Sequence, residues 1–259
     1  MKTADLPIYY NMCQILEDNL KSRANQVALL SKQRVMTFNE VSRQVNQIGN
    51  AFKRSGIQFG HCVAILSPDR PEWITTFFAT AKIGGISLGL NTLLKTEDYD
   101  YILKDANVRL LVVHHSLLAS VEPILHNQVS LVKVVVIGNH ESDNYTKFID
   151  WIAAEDTNLV SQQTHREDFC SLHYSSGTTG MPKGIYHAHK DYPLIAQLSG
   201  VELFGVNKND RTFSVAKLFF VYGIGGNLIF PWFVGASCVL FDGEPRQAGA
   251  VLKIIDKFK

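Results

Sequence analysis

Apolar positions along the chain recur in two rhythms. Phe38, Val41, Val45, Ile48 and Phe52 return at helical spacing. The segment opens on Thr37 with Glu40 three residues on, a capping box in which each side chain satisfies an otherwise orphan backbone N–H, and Gly56 follows as a stop. The second rhythm is a short unbroken run of branched residues, at 62–66, 109–114 and 131–137, as expected of strands covered on both faces. Helices are predicted at 73–83, with Pro71 at the first helical position, and at 96–104, 117–126 and 147–154. Farther on, strands are predicted at 169–174, 185–189 and 211–216, and helices at 192–204 and 249–259.

This alternation predicts an α/β fold built on mostly parallel sheets. Polar, punctuated stretches at 139–144 and 157–168 place a subdomain boundary near residue 165, dividing the chain into 1–165 and 166–259. One run, 218–241, carries no charge and is long enough to cross a membrane. Gly223, Gly225, Gly226, Pro231 and Gly235 divide it, and Lys217 and Asp242 bracket it. Of the two readings, a membrane span or three short buried elements, these breakers favour the second: a strand, a glycine-opened helix, and a strand at 236–241.

Composition narrows the partners. With 25 Lys and Arg against 24 Asp and Glu, no overall field draws the 259-residue chain to nucleic acid or to an anionic membrane. Cys13, Cys62, Cys170 and Cys238 lie far apart, as expected of buried thiols in a reducing compartment, and no secretory signal opens the chain; a cytoplasmic location is expected. Neither His114–His115 nor the pair His187 and His189 has nearby carboxylates or thiols to complete a metal set, so no metal site is expected.

The chemistry concentrates between the strands at 169–174 and 185–189. There the chain reads Tyr174, Ser175, Ser176, Gly177, Thr178, Thr179, Gly180, Met181, Pro182, Lys183, Gly184. The glycines let the backbone approach a ligand, four hydroxyls offer donors to phosphoryl oxygens, and Lys183 adds a mobile positive charge. The Walker pattern needs Ser or Thr after Gly-Lys, and here Lys183 precedes Gly184. A plain Ser/Thr/Gly surface loop would explain hydroxyls and glycines, but not this order with a lysine.

This string resembles the signature phosphate loop of the adenylate-forming (AMP-binding) enzymes. The segments at 81–85, 90–92 and 183–189 are similar to the same family, and the likeness runs over essentially the whole chain. The stretch 216–223, with Lys217, Leu218, Phe219, Phe220, Val221, Tyr222 and Gly223, resembles the benzoate-CoA ligase branch. There the resemblance implies that Phe220, Val221, Tyr222 and Gly223 line the pocket of a carboxylate substrate. An aromatic run entering a glycine-opened helix fits core packing as well, so both readings stay open.

The resemblance further implies two stacked α/β subdomains, the second incomplete. It implies an ATP-dependent ligase that joins a carboxylic acid, aromatic and benzoate-like, to coenzyme A through an acyl-adenylate. ATP, Mg2+ and coenzyme A are the implied co-substrates. Ser175, Ser176, Gly177, Thr178, Thr179, Gly180 and Lys183 would bind nucleotide, with Lys183 the catalytic charge. Members of the family run to roughly twice this length, so an N-terminal fragment, inactive alone and lacking the C-terminal half, is expected. The competing expectations are a non-catalytic nucleotide- or ligand-binding module and a fatty acyl-CoA ligase.

Overall fold

The computed structural model describes residues 2–140, 144–175 and 180–259. Eleven strands appear there: β1 (Val27–Leu30), β2 (Val35–Thr37), β3 (Cys62–Leu66), β4 (Ile86–Gly89), β5 (Val108–His114), β6 (Lys133–Ile137), β7 (Thr146–Lys147), β8 (Phe169–Ser175), β9 (Lys183–Ala188), β10 (Arg211–Phe213) and β11 (Ser237–Val239). Seven form one sheet in the order β7-β6-β5-β3-β4-β8-β9, parallel except at β8–β9. The other four run β10-β11-β1-β2, with β2 antiparallel to β1. The expected mixed α/β, mostly parallel fold is present. The expected boundary near residue 165 does not separate the sheets, because each takes strands from both sides of it.

The period of two in β3, β5 and β6 sorts the core onto both faces of the large sheet. Val63, Ile65, Leu110, Val112, Val135 and Ile137 face one apolar cluster. Cys62, Ala64, Leu66, Leu111, Val113 and Val136 face the other. Helix α1 (Gln14–Arg23), α2 (Phe38–Arg54) and α3 (Pro71–Lys82) feed the first cluster; α4 (Thr96–Asp105) and α5 (Leu118–Leu125) feed the second. The capping box forms as expected: Glu40 N donates to Thr37 Oγ1 at 3.2 Å, and Thr37 N donates to Glu40 Oε2 at 2.7 Å. Pro71 occupies the first turn of α3. Helix α6 (Phe148–Ala153) lies beside β7.

The uncharged run differs from expectation at its start. Residues 218–220 form a turn, and the helical stretch begins at Val221, passing from α7 (Val221–Ile224) through a wider π-type segment (Gly225–Ile229) into α8 (Phe230–Val234). Gly235, at φ +84°, ends it in the left-handed region that favours glycine. Three buried contacts lock this stretch inward. Trp232 stacks on Phe78 with centroids 5.2 Å apart, Trp232 Nε1 donates to Ala28 O at 3.0 Å, and Asn19 Nδ2 donates to Trp232 O at 2.7 Å. No helix of the structure is long and apolar enough to cross a membrane, among the described residues. A similar α-then-π run covers Asp191–Ile195 and Ala196–Leu203, and a final helix spans Ala248–Lys257.

Candidate functional site

The expected strand at 185–189 is Lys183–Ala188, and it runs antiparallel to β8. Ser175 stands opposite Lys183, and Tyr174 opposite Gly184, so the two described ends of the hydroxyl-and-glycine string are held side by side. Ser176, Gly177, Thr178 and Thr179 lie outside the described residues. Gly180 has φ +135°, and among the described residues no atom lies within 4 Å of where a Cβ would stand. At Gly184 a Cβ would come 3.3 Å from Tyr174 Cζ; the missing side chain lets that ring lie across the hairpin. The Tyr174 hydroxyl donates to Asp105 Oδ2 at 2.5 Å, and burial together with this carboxylate raises its pKa above the ordinary phenol value. Lys183 is exposed and, among the described residues, forms no ion pair.

Two of the cavities beside this hairpin share wall residues. The larger, about 740 Å³, is walled by β9 and the two irregular helical runs, with Leu194, Ile195, Leu198, Phe204, Phe230 and Tyr222 supplying apolar surface. The smaller, about 370 Å³, is rimmed by Ser175 and Pro182 at the string and by Gly89 and Asn91 at the end of β4. His187 and Val221 line both, so they stand where the two cavities meet.

The four residues expected to contact a carboxylate substrate separate. Val221 lines both cavities, and Tyr222, 77% exposed, lines the larger. Phe220 lines only the smaller, with extended backbone at the start of α7. Gly223 is buried and lines neither; a Cβ there would stand 2.2 Å from Lys217 O, so glycine is what lets the preceding turn fold against the helix. That turn is tied to the segment joining β3 to α3 by Asp69, whose Oδ1 accepts from Leu218 N at 3.0 Å. Burial pushes the Asp69 carboxyl up to about 7, with Lys217 pulling the other way. Lys217 Nζ donates to Phe241 O and Gly243 O, each at 2.6 Å, pinning the turn from its other side.

Several lining residues escape a sequence reading. His173 on β8 faces the smaller cavity; its Nε2 lies 3.2 Å from Ser171 Oγ and 3.4 Å from Tyr192 Oη, which are themselves 2.6 Å apart. Burial, then the neighbouring His187, lower its pKa to about 3, so the ring is neutral near pH 7. Asp191 Oδ2 accepts from Ala188 N at 2.9 Å and lies 3.6 Å from His187 Nδ1. The sequence signal for this pair was its spacing, a His and an Asp four residues apart where a strand passes into a helix. Among the described residues no three His, Cys, Asp or Glu side chains converge on a metal site.

Comparison with known proteins places this geometry. The sequence pattern of the AMP-binding enzyme family matches residues 16–259. A benzoate–CoA ligase of Thauera aromatica is 34% identical over 246 residues, 94% of this chain and 46% of its own length. A 3-hydroxybenzoate–CoA ligase of Aromatoleum sp. (strain CIB) is 32% identical, over 90% of this chain and 44% of its own. Among solved structures, an anthranilate CoA ligase in complex with anthranoyl-AMP superposes with a TM-score of 0.99 at 55% identity, covering 100% of this chain and 50% of that one. A benzoate CoA ligase from Burkholderia xenovorans LB400 gives a TM-score of 0.86 at 25% identity, over 94% of this chain and 47% of the other. The chain thus spans about half the length of the relatives it matches. By this match over residues 16–259, the chain belongs to the AMP-binding enzyme family.

Proposed function

We propose that the chain supplies the phosphate loop and much of the acyl cavity of an ATP-dependent ligase that joins an aromatic carboxylic acid to coenzyme A. The observation that carries this reading is the junction of the two cavities: an apolar cavity meets, at His187 and Val221, a smaller one rimmed by the loop residues Ser175 and Pro182. An acid with its ring in the first projects its carboxylate toward the second. The carboxylate oxygen attacks the α-phosphorus of ATP, and pyrophosphate leaves with the bonding electron pair. The thiolate of coenzyme A then attacks the acyl carbon and displaces AMP.

The nucleophile is already an anion, so positioning and charge neutralisation are the protein's task. Ser175 and Lys183, side by side across the hairpin, offer a hydroxyl and a cation to the departing phosphates. Gly180 adds no side chain to crowd them, and Ser176, Gly177, Thr178 and Thr179 complete the proposed cradle. The described residues supply Mg2+ no ligand set of their own. The four buried, unpaired cysteines suit the reducing cytoplasm, where ATP and coenzyme A are found.

Calorimetric titration of ATP and of benzoate into the chain tests the reading. Lys183→Ala is expected to weaken ATP binding by about 1.5–3 kcal/mol, the worth of a charge-assisted contact, while leaving benzoate binding intact. Superimposable ATP curves for wild type and variant would overturn it. The cavity's volume also admits a longer chain, which favours a fatty acid as the second reading. A decanoate arm in the same titration, binding more tightly than benzoate, would establish that reading instead. Pyrophosphate release by the 259-residue chain distinguishes turnover from binding alone, and binding alone is expected.

A further inference from the structure

A third cavity, about 230 Å³, lies at the opposite end of the large sheet from the phosphate-loop string. The starts of three parallel strands frame it: His61 and Cys62 at β3, Ile86 at β4 and Arg109 at β5. It shares no lining residue with the two cavities of the candidate site. Its polar groups are donors. Arg109 is half-buried, and among the described residues its side chain forms no ion pair; its Nε is shut off from water and has no hydrogen-bond partner. His61 Nδ1 accepts from Gln58 N at 3.1 Å, so the neutral ring carries its proton on Nε2. Asn107 holds a left-handed φ of +48° at the turn into β5, and its Oδ1 accepts from Ser130 Oγ, so its amide nitrogen is the end left to donate.

Nothing in the wall answers this charge. No carboxylate lines the cavity, and the acid closest along the chain, Asp105, accepts from the Tyr174 hydroxyl instead. Cys62 stays neutral, because burial pushes its thiol up to about 12. Burial, then the charge of Arg109, holds the His61 ring below the ordinary imidazole value. A guanidinium that loses water and gains no acceptor is costly to keep, and an oxyanion removes that cost with paired, charge-assisted bonds to the planar fork. The volume lies below the about 300–1,000 Å³ of pockets for drug-sized ligands, which suits a single phosphate group rather than a whole nucleotide.

We propose that Arg109, His61 and Asn107 bind a phosphate-sized oxyanion between the starts of β3 and β5. This site stands apart from the phosphate loop, and it does not rest on the functional reading above.

The test follows the ring resonances of the histidines by NMR while inorganic phosphate is titrated into the 259-residue chain, with chloride at matched ionic strength as the control. The His61 resonance is expected to move saturably with phosphate and to stay still with chloride. Arg109→Gln should weaken the apparent affinity at His61 by about tenfold or more, about 1.4 kcal/mol. Arg109→Lys keeps the charge without the fork and should fall between the two. Unmoved resonances of the buried His173 and His189 report an intact fold in each variant. In Lys183→Ala the His61 titration should match wild type, which separates this site from phosphate held at the loop. A His61 resonance that ignores phosphate would overturn the proposal. So would an equal response to chloride, an equal affinity in folded Arg109→Gln, or loss of the His61 response in Lys183→Ala.

Discussion

The centre of the seven-stranded sheet and its β8–β9 edge are built from similar residues to opposite ends. Every residue of β3 is buried, and its alternate side chains feed two apolar clusters. In β9, four consecutive residues from Lys183 are exposed, including Ile185 and Tyr186, and burial begins only at His187 and Ala188. The centre is parallel and covered by helices on both faces; the edge turns antiparallel and carries the two described ends of the hydroxyl-and-glycine string. Apolar side chains that are scaffold in one place are cavity wall in the other. What differs is whether packed protein or an open cavity faces them.

The sharpest way to break that contrast is a matched pair of truncations. Ile65→Ala, at a site with no solvent exposure, should cost about 2–5 kcal/mol of unfolding free energy. Ile185→Ala, 49% exposed on β9, should change stability by under about 0.5 kcal/mol. Chemical denaturation of both variants decides it, and equal losses would mean that the edge is scaffold too. A smaller effect is expected where the helix of the cavity wall meets its turn. Gly223→Ala forces a methyl group against the Lys217 carbonyl and should cost about 1–3 kcal/mol, read as a lowered melting temperature. An unchanged melting temperature would show that the turn can move aside.

The smallest effect per unit change is a pH slope. Asp69, Lys217 and Asp242 face one another where the turn meets the segment joining β3 to α3. The Asp69 carboxyl is raised from 3.8 to about 7 by burial, so the folded state binds its proton more tightly than the unfolded state does. Its contribution to stability is present below 3.8 and is lost as pH rises toward about 7, at no more than about 1.4 kcal/mol per pH unit. Asp69→Asn keeps an acceptor for Leu218 N and should flatten that slope in melts taken from pH 4 to 8. An identical slope in the variant would assign it to other groups.

Much of the scaffold was legible because local signals agreed with the tertiary outcome. Thr37 and Glu40 opened a helix, Pro71 opened another, and the branched runs at β3, β5 and β6 became the covered strands. Residues 218–220 misled because a leucine followed by two aromatic side chains marks a strand by propensity, whereas the Asp69 and Lys217 contacts draw them into a turn. Of the residues singled out by order and resemblance, Ser175, Phe220, Val221 and Tyr222 come to line the two cavities, whereas Gly223 lines neither. The meeting of His173 with His187 could not be read in advance, because it depends on β8 pairing antiparallel with β9; His187 and Asp191, four residues apart, meet locally. A period-of-two pattern says nothing about which neighbour a strand will take.

The pairing of β1 with β11 has a consequence for how the chain comes off the ribosome. Leu29 lies opposite Cys238, so that ladder closes only after about 200 intervening residues have been made. At about 5–20 residues per second, synthesis takes roughly 10–40 s to cover that gap. Throughout this interval the β1–β2 ribbon waits with one side of its backbone unpaired, the kind of edge that recruits foreign strands. The large sheet is luckier, since β3, β4, β5 and β6 all emerge within residues 62–137. A nascent chain paused before residue 237 should therefore hold a protected large sheet beside an unfinished small one, and chaperone occupancy should fall when β11 emerges.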